Sequence, residues 1–135
     1  MPNIKKIDLV TAKVTDFTVN DLKFITDYRY WVELDTVQLF DEYNTPMLLI
    51  NFVLIPKGGK PIYKVSIQFQ KVGKFQISAG GMVIQLSSFE ILNISDRGWD
   101  SVKYLVRDIE NEERFKFYCN DIEVVAIEEV DWIIG

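Results

Sequence analysis

Histidine is absent from all 135 residues. That removes the commonest general base, the commonest metal ligand and every histidine-dependent nucleophilic triad. The only thiol is Cys119. One cysteine forms no internal disulfide, and one cysteine without histidine excludes the common zinc sites. A nucleophilic thiol needs a base or positive surroundings, and the neighbours Asn120 and Asp121 supply neither. Cys119 is in phase with Phe115 and Phe117, so it reads as core. Glu33 and Asp35 are two apart and share one face of a strand. Such a pair can do acid and base work, as in glycosidases, but nothing else of a site accompanies it, and a solvated outward pair is the preferred reading. Gly58-Gly59-Lys60 has neither the spacing nor the helix of a phosphate loop and reads as a hairpin turn. No catalytic residue, cofactor or metal is expected, and the chain reads as no enzyme.

What remains is surface chemistry. Asp108, Glu110, Glu112 and Glu113 do not follow a calcium-loop spacing. They flank or form an expected hairpin tip, where side chains reach solvent and a partner can approach. Asp121 and Glu123 extend this acidic patch if the strands pair as a hairpin. Trp99 follows a turn glycine and can fold over a sheet end or anchor a partner, and packing is its default. Trp31 shares its alternating face with the charged Arg29 and Glu33, which places it partly in solvent.

The elements that must carry these residues are strands. Tyr63, Val65, Ile67 and Phe69 alternate with Lys64, Ser66, Gln68 and Gln70, a period of two that points the apolar set to one side. The same test succeeds for Tyr28, Tyr30, Val32 and Leu34, for Val102, Tyr104 and Val106, and for Phe115, Phe117 and Cys119. Turns are expected at 41–46, 56–61, 80–81, 95–98 and 111–113, where Gly, Pro, Asn and Asp gather. Strands are expected near 7–14, 22–39, 47–55, 62–71, 74–79, 82–93, 101–109, 114–119 and 122–128. The second contains a bulge, since its apolar phase shifts between Leu34 and Val37. Residues 15–22 form a short turn. The chain, 1–135, reads as a single all-β, mainly antiparallel domain, a β-sandwich or closed barrel with little helix.

Composition supports this. Hydrophobic residues make up 48% and aromatic residues 13%, ample for a core at this length. The longest apolar stretch, around Met47–Ile55, is too short to span a bilayer, and residues 1–6 hold no signal-peptide pattern, so a cytoplasmic protein with no membrane association is expected. Residues 1–80 carry 10 basic and 8 acidic side chains, residues 81–135 carry 5 and 12, and the net charge is −5. A negative field repels nucleic-acid phosphates and attracts basic proteins. Plain solubility is the simpler use of the same acids.

Gln85-Leu86, Phe89-Glu90-Ile91, Asp96-Arg97-Gly98-Trp99, Tyr104 through Glu110 and Phe115 through Cys119 together resemble small β-rich bacterial proteins, some of which look like immunity proteins of polymorphic toxin systems. The resemblance covers the last third of the chain. It implies a bacterial, cytoplasmic, non-enzymatic protein that blocks a toxin by binding it, and it brings no functional residue with it. The leading expectation is thus a protein-binding module with a protein partner, in its specific form an immunity protein docking an acidic surface on a basic toxin. The alternatives are a carrier holding a small apolar ligand inside a barrel and a structural or assembly module pairing strand edges.

Overall fold

Strict alternation organises the fold. In the computed structural model, which describes residues 3–33, 45–77, 84–95, 103–109 and 115–131, Tyr63, Val65, Ile67 and Phe69 are all buried, and the polar Lys64, Ser66, Gln68 and Gln70 that alternate with them are half-buried. They lie on β3 (Tyr63–Gln70), the centre of a ladder that also holds β1 (Leu22–Glu33), β2 (Thr45–Leu54), β5 (Ile84–Gln85) and β9 (Asp121–Glu129), in the order β5-β1-β2-β3-β9. A second ladder has the order β4-β8-β7-β6, from β4 (Gly73–Ile77), β6 (Phe89–Asn93), β7 (Tyr104–Asp108) and β8 (Phe115–Cys119). All pairings between these strands are antiparallel. The two ladders do not close into one ring, which selects the sandwich over the barrel.

The register explains the core. Leu48, Ile50, Phe52 and Leu54 of β2 stand opposite Phe69, Ile67, Val65 and Tyr63 of β3. Ile122 and Val124 continue the inner face on β9. From the other sheet come Phe89, Ile91, Tyr104, Val106, Phe115, Phe117 and Cys119. Rings interlock between sheets: Phe69 meets Phe117 edge-on at 4.9 Å between centroids, and Phe52 meets Phe89 at 5.3 Å. Such offset and edge-to-face contacts match the ring quadrupoles.

Among the described residues the chain changes sheets at three corners. β3 leads into β4 through Lys71, whose φ of 56° lies in the left-handed region. β8 leads into β9 through Asn120, whose amide donates to the Gln70 carbonyl at 2.9 Å. β5 leads into β6 through residues 86–88. The expected strand 82–93 is therefore two short strands in different sheets. Across these corners the side chains keep one face to the interior, as in packings where strands bend from sheet to sheet.

Residues 7–14 do not form the expected strand. Asp8–Thr11 is a single helical turn, α1, with Val10 fully buried. Val10, Val14 and Phe17 are buried at spacings of four and three, a helical period that the apparent alternation of Ile7, Leu9 and Thr11 masks. The turn expected over 15–22 contains a 3-10 turn at Val19–Asp21. The bulge expected beyond Leu34 lies outside the described residues. β1 carries register shifts earlier, between Leu22 and Phe24 and between Ile25 and Asp27. The 56–61 turn joins β2 to β3, closed by the Gly59 amide on the Pro56 carbonyl, with Gly59 at φ 86° where a side chain is disfavoured.

Candidate docking surface

β9 carries alternating acids because one of its faces is core and the other is solvent. Ile122 and Val124 point inward, and Asp121 and Glu123 alternate with them on the outer face. A bulge follows. Val124 pairs with Ile67 and Ala126 with Ser66, so Val125 is the extra residue, and it is exposed. The bulge resets the phase so that Glu128 returns to the outer face opposite Lys64.

Each of these outer carboxylates holds a lysine of the same chain. Asp121 Oδ1 is 3.7 Å from Lys5 Nζ, Glu123 Oε2 is 3.0 Å from Lys6 Nζ, and Glu128 Oε1 is 3.7 Å from Lys64 Nζ. Solvent-exposed pairs of this kind contribute about 0.2–1 kcal/mol each. Lys5 and Lys6 belong to a segment that lies against the outer edge of β9. The Lys5 amide donates to the Ile122 carbonyl at 2.8 Å, and the Val124 amide donates to the Lys5 carbonyl at 2.9 Å. Lys5 and Glu123 thereby form a parallel bridge. Ile4 tucks its side chain into the core beside it.

The acidic patch expected from sequence is not one surface. Asp108 is a correction. It is fully buried, and its carboxylate oxygens accept from the Ser87 amide at 3.1 Å and the Ser88 amide at 2.6 Å. It fastens the β5–β6 corner. Asp121 and Glu123 sit on the other sheet, beyond the opposite end of β7, because Tyr104 and not Asp108 is the residue paired with Cys119. Trp99, Glu110, Glu112 and Glu113 lie outside the described residues, as does Asp35. Glu33 accepts from Trp31 Nε1 at 2.9 Å, and Arg29 lies over the Trp31 ring at 4.5 Å, so this trio is a local stack on β1.

Cys119 is buried as its phase requires. Burial, and secondly the Asp121 charge, push its thiol well above the ordinary range, which leaves it a poor nucleophile. Among the described residues no three of His, Cys, Asp and Glu gather as metal ligands, and no helix is long and apolar enough to cross a membrane.

Two features escaped the sequence reading. Lys5 and Lys6 carry no local signal that they meet β9, over a hundred residues away. Tyr28, Tyr30 and Val32 stand in the inward phase, yet they are 39%, 46% and 43% exposed. Only the start of β1, at Phe24 and Ile25, is paired with β5, and the ring described against the stripe is Phe75, at 5.8 Å from Tyr28 and 5.3 Å from Tyr30. Comparison with protein-family models, with curated proteins and with solved structures finds no match.

Proposed function

We propose that this chain is a non-enzymatic, cytoplasmic protein-binding module that takes a basic protein partner at the outer edge of β9. In its specific form it is a bacterial immunity protein that neutralises a toxin by direct binding. The observation that carries this reading is the row Asp121, Glu123 and Glu128, each already holding an ammonium group at 3.0–3.7 Å. A surface that binds the chain's own lysines offers the same chemistry to lysines of a partner. The net charge of −5 adds long-range attraction for a basic protein. The interior favours this reading over a ligand carrier, because Phe52, Phe69, Phe89, Phe115 and Phe117 fill it ring against ring.

The test is to recover a partner with the purified chain as bait and measure association by stopped flow at several salt concentrations. Association slows as salt rises, since the Debye length shortens to about 8 Å near physiological ionic strength. Asp121→Lys/Glu123→Lys slows it further. A partner that associates equally fast with wild type and variant rules out this surface.

An assembly module is the second reading, favoured by the exposed stripe Tyr28, Tyr30 and Val32, since contiguous exposed apolar side chains mark interaction sites. Light scattering over a concentration series tests it. A mass that stays monomeric at the highest concentration rules out self-assembly through this stripe.

A further inference from the structure

The edge of β9 is occupied by the chain's own residues 3–6, and this segment shows what the edge recognises. It supplies one bridging residue followed by a turn, an apolar side chain and two consecutive lysines. The backbone gives and takes one hydrogen bond through Lys5, at 2.8 and 2.9 Å. Ile4 is buried. Lys5 and Lys6 reach Asp121 and Glu123. Main-chain bonds supply affinity here as in strand addition, and the turn at Lys6 brings both lysines to the acids.

We propose that the Asp121–Val124 edge is a docking site for a segment of a protein partner with the pattern apolar-Lys-Lys that pairs through its middle residue and then turns, and that residues 3–6 occupy it as a displaceable strap in the free protein. The proposal rests on the protein-binding reading above and names what that site takes.

The strap is held modestly. Its two ion pairs are solvent-exposed, with 58% and 63% of the Lys5 and Lys6 side-chain surfaces open. The contacts of Asn3 with the Tyr104 hydroxyl are long, at 3.3 and 3.4 Å. Lys6 must also adopt φ 59° to turn the chain into α1, a conformation that non-glycine residues rarely take. Tethering favours the strap, because a linked segment competes at an effective concentration of about millimolar. The partner displaces it when the remainder of its interface adds affinity.

The experiment uses the full-length chain and a fluorescein-labelled peptide with the sequence of residues 3–7. In Lys5→Glu/Lys6→Glu the strap meets Asp121 and Glu123 with like charge and leaves the edge. Fluorescence anisotropy then shows the peptide binding the variant at least tenfold more tightly than wild type, and a peptide with both lysines replaced by glutamate does not bind. A folded variant that binds the labelled peptide no better than wild type overturns the proposal. Hydrogen exchange on the wild type gives an answer that needs no variant. The Val124 amide, which is bonded to Lys5, exchanges at least tenfold faster than the inner amides of the β2–β3 ladder, and equal protection overturns the strap. If peptide binding fails while Asp121→Lys/Glu123→Lys still slows a basic partner, strand docking is wrong and the acidic surface stands. If that variant has no effect on the partner, the surface reading itself falls.

Discussion

Asp108 shows how one residue's role turns on where its strand ends. It closes β7 and pairs with Phe89 at the first position of β6. Its carboxylate therefore meets the amides of Ser87 and Ser88, which the change of sheet removes from any ladder. Asp108→Ala leaves both amides without this acceptor in a partly buried corner. It is expected to lower stability by about 1–3 kcal/mol, read from the urea midpoint. A loss below about 0.5 kcal/mol, ordinary for surface sites, means that water replaces the carboxylate. Cys119 gives a second prediction at this scale. The unfolded thiol ionises near about pH 8.5, while the native thiol stays protonated to higher pH because burial disfavours its thiolate. Above that pH the unfolded state loses a proton that the native state keeps, so stability falls as pH rises. Cys119→Ala removes this part of the dependence. Urea midpoints at pH 8 and pH 10 should fall less in the variant than in the wild type, and equal falls would show that the thiol is not the group responsible.

Among the elements, β3 is the one that alternation alone specifies. Ile67 sits between Ile50 on one side and Val124 on the other, with 2% of its surface exposed. Ile67→Ala is expected to destabilise by about 2–5 kcal/mol through the lost transfer energy and the cavity left behind. Chemical denaturation checks this, and a change below about 0.5 kcal/mol would contradict the burial. β3, β8 and the inner face of β9 were legible because a two-sided strand writes its environment into successive residues. The corners were not. Lys71 and Asn120 are ordinary surface types, and nothing local says that the next residue pairs in another sheet. β1 was half legible. Tyr28, Tyr30 and Val32 keep the phase of a core face, but exposure depends on how far the opposite sheet reaches, which is a property of length in three dimensions. The candidate surface divides in the same way. Asp121 and Glu123 were expected to extend the patch around Asp108, but they stand on the other sheet. Lys5 and Lys6 were invisible as their partners, and Asp108 was misplaced because an acid beside a turn looks alike whether it faces water or fastens the chain.

At the scale of the whole molecule, the three corners bind the two sheets into one structure. β3–β4 and β8–β9 each give one strand to either sheet, and the two ribbons pair with one another on both sides, β3 with β9 and β4 with β8. Neither sheet can be removed without tearing a strand that also belongs to the other. The rings of Phe52, Phe69, Phe89 and Phe117 are shared in the same sense, since each contact pair draws one ring from each sheet. The N-terminal segment is tied in as well: Asn3 reaches Tyr104 of the second sheet, while Lys5 bridges β9 of the first. Such a structure is expected to unfold as a single cooperative unit, as domains under about 150 residues commonly do. Far-UV circular dichroism reports the strands of both sheets, and near-UV circular dichroism reports the packed rings. Reaction of Cys119 with a thiol reagent reports the second sheet near the β8–β9 corner. In urea the three signals should share one midpoint, with thiol reactivity appearing only as the ellipticity is lost. A thiol that opens at clearly lower urea than the rings would show that β8 leaves the second sheet while the first persists, and the corners would then be hinges between two separable units.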